Sequence, residues 1–220
     1  MKIHTLLFDL DGTITDSGPG IMNSVRYALQ KAGRKAADDE ELRSFIGPPL
    51  HGQFQKFCGI TEEEALEMVS LYREYYKDRG IFENSVYDGV IPMLERVRED
   101  GYKVLLATSK PERFAEIIAE HFGFAQYFDF IGGANMDGSR TDKREVIEYV
   151  LVSCGVDDRD GVLMIGDRRY DIEGARRAGV HSMGVLYGYG SREEIESAKP
   201  DFIAETPDEI SRIVLDGEQS

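Results

Sequence analysis

Two aspartates separated by one residue, Asp9 and Asp11, follow the short apolar run Ile3–Phe8, and Gly12 comes directly after them. Residues i and i+2 of a strand face the same way, so a strand here projects both carboxylates to one side. Carboxylates this close repel each other and require a cation or a shared proton. Gly12 lets the chain turn sharply just beyond the strand's carboxyl end, which is the end where open α/β sheets bind ligands. A second apolar run, Val162–Ile165, leads into Gly166-Asp167-Arg168-Arg169-Tyr170-Asp171. If the two runs are neighbouring strands, Asp9, Asp11 and Asp167 meet around one point. Oxygens converging in that way, with positions left open for water, suit Mg²⁺. Asp171 either joins this group, caps the helix expected over 172–178, or does both.

A third run, Lys103–Thr108, ends in Ala107-Thr108-Ser109-Lys110. The Thr108 hydroxyl can bond a phosphate oxygen, as can backbone N–H groups opening the next helix. Ser109-Lys110-Pro111-Glu112 has the spacing of a capping box, which makes Ser109 a helix cap, an anion contact, or both. Lys143 is expected in the first turn of a later helix, where the macrodipole disfavours a cation. A lysine placed there fits one that serves an anion, with Arg140 and Arg144 as competitors for the role.

Such residues need a frame. Further short buried strands are expected at Phe128–Ile131, His181–Leu186 and Asp201–Ile203, with capped amphipathic helices between most of them. Asp142, Ser191 and Thr206 each precede a glutamate by three residues at a helix start. Strands alternating with helices of this length predict an α/β fold built on a doubly wound parallel sheet. Residues 16–85 break the alternation with four helical patterns and no convincing strand. These are the Ile21/Val25/Leu29 stripe, a helix starting at Asp38–Glu41, one carrying Leu50, Phe54 and Phe57, and one with Met68, Val69, Tyr72 and Tyr75 inward. The expected division is therefore a sheet domain of residues 1–15 and 86–220, with an all-helical domain inserted at 16–85.

The chain has 220 residues and a formal net charge of −15, and 41% of its residues are hydrophobic. That is enough apolar material for a core without disulfide or metal staples. The negative field argues against nucleic acid and anionic membrane as partners. The inserted segment, with 9 basic and 12 acidic residues, repels an anion less than the rest. Cys58 and Cys154 stand far apart in no CxxC pattern, as expected of free thiols in a cytoplasmic protein. Gly188-Tyr189-Gly190 follows a strand, but Glu193 replaces the third glycine of a dinucleotide fingerprint.

Taken together, Asp-Leu-Asp-Gly-Thr at 9–13, Thr108, Lys143 and Gly-Asp-Arg-Arg-Tyr-Asp at 166–171 resemble the four ordered motifs of the haloacid dehalogenase-like (HAD) phosphatases. The resemblance is nearest to the phosphoglycolate-phosphatase-like branch, on Phe8–Thr13, Ile46-Gly47-Pro48-Pro49-Leu50 and Thr108-Ser109-Lys110-Pro111. It implies a Rossmann-like core and a helical cap. Asp9 is the implied nucleophile, forming an aspartyl-phosphate, and Asp11 the implied general acid and base. Mg²⁺ is implied on Asp9, Asp11 (through its carbonyl) and Asp167, with Asp171 orienting metal-bound water or Lys143. Thr108, Ser109 and Lys143 are implied on the phosphate oxygens, and Gly47 and Pro48 of the cap loop on the leaving group. Asp16, Ser17 and Gly18 are hinge candidates, and His51 is a possible substrate contact.

The expected substrate is a small phosphate ester, with phosphoglycolate or a nucleoside 5′-monophosphate foremost. A β-phosphoglucomutase-like phosphotransferase ranks lower, because residues 46–50 carry no charge and Arg43 is the nearest substitute for the arginine such enzymes place there. A dehalogenase does not need the acid at position 11. A regulatory binding domain would be expected to lack the nucleophile or a metal ligand.

Overall fold

The structure is a computed structural model that describes residues 2–216. In chain order the elements are β1 (Thr5–Phe8), β2 (Thr15–Asp16), α1 (Gly18–Lys31), α2 (Asp39–Arg43), α3 (Leu50–Cys58), α4 (Glu62–Tyr76), β3 (Ser85–Val86), α5 (Val90–Glu99), β4 (Lys103–Pro111), α6 (Glu112–His121), β5 (Phe130–Ala134), α7 (Lys143–Ser153), β6 (Val162–Gly166), α8 (Arg169–Ala178), β7 (His181–Val185), α9 (Arg192–Ala198), β8 (Phe202–Ala204) and α10 (Pro207–Asp216). Two compact units result, one of Met1–Thr15 with Val86–Ser220 and one of Asp16–Ser85.

The first unit holds a six-stranded sheet in the order β5-β4-β1-β6-β7-β8. Every pairing is parallel. β1 is buried along its whole length, as an apolar run covered on both faces must be. It pairs with β4 from Thr5↔Lys103 to Phe8↔Leu106 and with β6 from Thr5↔Val162 to Phe8↔Ile165. The chain builds outward from β1 to β4 and β5, then returns to the other side of β1 for β6, β7 and β8. β1 is thus flanked by the topological switch point, where doubly wound sheets open a crevice beyond their carboxyl ends. Leu7, Leu105 and Met164 from the sheet pack with Val146, Ile147, Val150 and Leu151 of α7 and Ala175 of α8. A crossover helix starts near the carboxyl end of the strand it follows, so this packing carries Lys143, the first residue of α7, toward the crevice.

The second unit is helical. α4 packs on α1 and on α3. Asp38 and Thr61 each form a reciprocal capping box with the glutamate three residues on, satisfying otherwise orphaned N–H groups. Phe45 stacks against Phe54 and Phe57 at centroid distances of 4.9 and 5.4 Å. On α4 the inward residues are Ala65, Met68, Val69, Tyr72 and Tyr76. Tyr76 therefore takes the buried position expected of Tyr75. The Tyr75 hydroxyl instead donates to Glu83 at 2.7 Å, because a phenol with a carboxylate within reach keeps its polar tip out of the core.

Three further differences from the sequence expectation have local causes. α5 was not anticipated, although Val90, Met93, Leu94 and Val97 are its buried face at helical spacing. β2 and β3, at the two passages between the units, are two residues each, too short for any periodicity to announce. β4 runs on through Pro111, which pairs with Ala134 across an irregularity in register. α6 consequently starts at Glu112 behind Pro111, with no side-chain cap, and Ser109 caps nothing.

Candidate active site

The Asp9 amide donates to the Ile165 carbonyl at 2.9 Å, which extends the β1–β6 ladder one residue and fixes Asp9 at its carboxyl end. The chain then folds back sharply. The amides of Thr13, Ile14 and Thr15 all point at the Leu10 carbonyl, and the Gly12 amide donates to Thr15. Gly12 has φ +85°, and a Cβ there would lie 2.2 Å from Asp167 Oδ2. Only glycine meets both demands, and the turn thereby brings the Asp9–Thr13 segment against the end of β6.

Asp167 follows β6 directly and is fully buried. Its Oδ2 accepts from the Tyr189 amide at 2.8 Å, and Thr13 Oγ1 lies 3.5 Å from its Oδ1. Asp171 is not the first cap residue of α8 but its third helical residue. There its Oδ2 accepts from the Arg168 amide at 3.0 Å, which turns its other oxygen to Lys143. One oxygen from each of Asp9, Asp167 and Asp171 lies within 4.8 Å of the other two.

Lys143 reaches into this group from the start of α7 and is buried. Its ammonium meets Asp171 Oδ1 at 2.8 Å, Asp9 Oδ1 at 2.9 Å and the Ala107 carbonyl at 3.1 Å. The Ala107 carbonyl accepts a hydrogen bond from it, and the two carboxylates hold it as ion pairs. Burial alone pushes a lysine ammonium down, but the charges of Asp171 and Asp9 outweigh burial and hold Lys143 above its ordinary range. Its two competitors work elsewhere. Arg140 donates to the Gly133 carbonyl and to Glu112 and stacks on Tyr149, while Arg144 pairs with Glu148.

Thr108 is buried at the end of the apolar part of β4. Its Oγ1 accepts from the Lys110 amide at 3.2 Å, which leaves its hydroxyl proton for an incoming oxygen. The side chain of Asp11 stands outside the three-carboxylate group. Its Oδ2 pairs with Lys110 Nζ at 2.9 Å, and its buried Oδ1 has no hydrogen-bond partner. The sequence reading missed Lys110 as a site residue. The expected anion site at the start of α6 is also corrected. Pro111 lacks an N–H, and Glu112 already places a carboxylate there, accepting from the Gly133 amide. Ser109 stays half-buried on β4. Gly47, Pro48 and His51 belong to the helical unit, at and just after the turn between α2 and α3. Asp16 ends β2, Ser17 precedes α1 and Gly18 opens it, with Asp16 Oδ1 accepting from the Gly18 amide.

The electrostatics of this pocket are unbalanced. Asp9, Asp167 and Asp171 share one cation, the ammonium of Lys143, so when all three are ionised two negative charges remain. Burial, and then the charges of Asp171 and Asp9, push Asp167 well above the ordinary carboxylate range. Burial pushes Asp171 up to about 6, with Asp9 adding to the push and Lys143 opposing it. Buried acids so disposed take up either protons or a cation. A single hard divalent ion cancels the residual charge, and an all-oxygen donor set is the kind that Mg²⁺ prefers. The residues present fit that ion.

The comparisons agree with this geometry. Residues 6–185 match the family of haloacid dehalogenase-like hydrolases. The chain is 44% identical over 200 residues to a 5′-nucleotidase of Pseudomonas aeruginosa, covering 91% of this chain and 90% of that protein. It is 29% identical over 220 residues to a phosphoglycolate phosphatase of Vibrio parahaemolyticus, covering 96% of each. The crystal structure of a predicted phosphatase from Clostridium acetobutylicum superposes with a TM-score of 0.94 at 41% identity, over 98% of this chain and 100% of that one. An aspartate pair closing the central strand, a lysine on the first of them and an acidic turn at the neighbouring strand thus belong to a chain of the haloacid dehalogenase-like hydrolase family, a phosphatase of its phosphoglycolate-phosphatase-like branch.

Proposed function

We propose that the protein is a Mg²⁺-dependent phosphomonoesterase that hydrolyses nucleoside 5′-monophosphates through an aspartyl-phosphate on Asp9. The observation that carries the reaction type is the placing of the Lys143 ammonium 2.9 Å from Asp9 inside a buried carboxylate cluster with two uncompensated negative charges. The relative at 44% identity supports the substrate class.

Asp9, Asp167 and the carbonyl of Asp11 would hold Mg²⁺, with Asp171 beside it, and the ion when bound offsets the repulsion between a carboxylate nucleophile and an anionic phosphate. The Asp9 carboxylate attacks phosphorus as the bond to the ester oxygen breaks. Asp11 enters the cycle protonated and gives that proton to the departing alkoxide. It then takes a proton from the water that attacks the aspartyl-phosphate, which releases inorganic phosphate and restores Asp9. Lys143 orients Asp9 before attack. As charge passes from Asp9 to the phosphoryl oxygens, its N–H contact passes with it, and the Thr108 hydroxyl donates to the same group. The helical unit is the counterpart of the cap domain that the resemblance implies.

Phosphoglycolate is the second reading, favoured by the phosphoglycolate phosphatase relative. The test is phosphate release from nucleoside 5′-monophosphates, phosphoglycolate and hexose phosphates with Mg²⁺ or EDTA, run beside Asp9→Asn. Hydrolysis of the nucleotides that EDTA and Asp9→Asn both abolish is the expected result. Metal-independent turnover, or turnover by the variant, overturns the mechanism. A preference for phosphoglycolate overturns the substrate class alone.

A further inference from the structure

The segment Tyr187-Gly188-Tyr189-Gly190 failed as a dinucleotide fingerprint, and the reaction described above does not use it. It follows β7 and meets the site at several independent points. The Tyr187 hydroxyl donates to the Thr13 carbonyl at 2.9 Å, on the far side of the turn that carries Asp9 and Asp11. The Tyr187 ring is held edge-on by Tyr87 at a centroid distance of 5.3 Å. The Tyr189 amide donates to Asp167 Oδ2 at 2.8 Å. A Cβ on Gly188 would lie 2.3 Å from the Gly12 carbonyl oxygen and 2.4 Å from Asp167 Cβ, and one on Gly190 would lie 2.0 Å from the Asp167 carbonyl oxygen.

We propose that residues 187–190 form a positioning clamp that sets the affinity of the carboxylate site for its divalent cation. The clamp fixes two things at once. The Tyr189 amide occupies Oδ2 of Asp167, so the side chain cannot rotate freely, and Oδ1, which accepts only a long contact from Thr13 Oγ1 at 3.5 Å, keeps a lone pair for a ligand. The Tyr187 hydroxyl and the missing side chain at Gly188 seat the Asp9–Thr13 turn against Asp167. The distance between the oxygens of Asp9 and Asp167 is thereby set by a third segment that contributes no ligand. Groups of this kind orient the ligands of a metal site, and their loss typically lowers metal affinity about 10- to 100-fold. Tyr187 is a positioning residue and touches no reacting atom.

This inference rests on the Mg²⁺ reading above, and the experiment separates the two. Mg²⁺ is titrated calorimetrically into metal-free wild type, Tyr187→Phe and Gly188→Ala, with the folded fraction checked by circular dichroism at the titration temperature. Gly188→Ala drives a methyl into backbone and can cost the fold. Tyr187→Phe removes one hydroxyl at constant shape and therefore decides the matter. The expected result is Mg²⁺ binding to wild type and a dissociation constant about tenfold weaker in folded Tyr187→Phe. Wild-type affinity in Tyr187→Phe, whether or not its metal-free melting temperature falls, marks a structural loop and overturns the clamp while leaving the metal reading intact. Absence of Mg²⁺ binding by wild type overturns both.

Discussion

Lys110 Nζ lies 2.9 Å from Asp11 Oδ2, and both side chains are largely buried. The acid and base of the proposed reaction thus has a cationic partner of its own, distinct from the lysine that serves Asp9. This ion pair fixes where Asp11 points while leaving its second oxygen, Oδ1, without a hydrogen bond. Lys110→Met is expected to lower kcat about 10- to 100-fold, a share of the ~10²–10⁴ that acid–base catalysis supplies. Mg²⁺ affinity should stay near wild type if, as proposed, Asp11 lends its carbonyl and not its carboxylate. Steady-state kinetics with a parallel Mg²⁺ titration checks this, and an unchanged kcat refutes it.

Lys143 touches two carboxylates and a carbonyl with one ammonium. Removing it leaves buried charges without a partner, a change that typically costs about 3–5 kcal/mol of stability. Lys143→Met should lower kcat by ~10²–10³, as loss of a charge-stabilising donor does. Its metal-free form should also be less stable than wild type in urea denaturation. Lys143→Arg should not restore activity, since a planar fork cannot meet two carboxylates and a carbonyl from a single nitrogen.

Acidity and metal should be linked in a definite direction. Asp171, held at about 6, and Asp167, held well above the ordinary range, bind more protons folded than unfolded. Stability from these groups is present at low pH and is lost as pH rises from the ordinary carboxylate range through about 6 and beyond. Mg²⁺ needs the same groups deprotonated, so its stabilisation grows over that window. The rise in melting temperature on adding Mg²⁺ should therefore be larger at about pH 7.5 than at about pH 5.5. Equal rises in scanning fluorimetry would refute the linkage.

Within the helical unit, Phe54 is fully buried against Phe45. Phe54→Ala should destabilise the protein by about 3–5 kcal/mol through the cavity it leaves. Val152→Ala, at a position 76% exposed in the sheet unit, should change stability by no more than about 0.5 kcal/mol. Chemical denaturation distinguishes the two.

What could be read from the sequence was what local spacing determines. Asp9 at the end of an apolar run is visible because the run ends abruptly in a carboxylate, whereas strand spacing did not place Asp11, which lies in the turn beyond β1 with its side chain outside the cluster. The capping boxes at Asp38 and Thr61 are visible because their partners lie three residues away. The neighbourhood of Asp9 and Asp167 depended on β6 pairing with β1, which no local pattern encodes. Lys110 was hidden by an ambiguity. Ser109 and Glu112 have capping-box spacing, yet the pairing of Pro111 with Ala134 keeps the chain extended, and Lys110 leaves that extended segment toward Asp11. Tyr75 and Tyr76 both fit the inward stripe of α4, and the carboxylate of Glu83 decided between them.

The central place of β1 also bears on how the chain comes together. Its four residues precede both of their partners in the chain, so one flank waits for Lys103–Leu106 and the other for Val162–Ile165. A nascent chain halted before Val162 exposes a wholly apolar edge ready to pair with another chain. Contacts this distant in sequence also slow folding, because loop closure precedes the reward. Assembly of the proposed catalytic centre therefore waits for β6 to reach β1, and aggregation of chains truncated before it is the hazard attached to that delay.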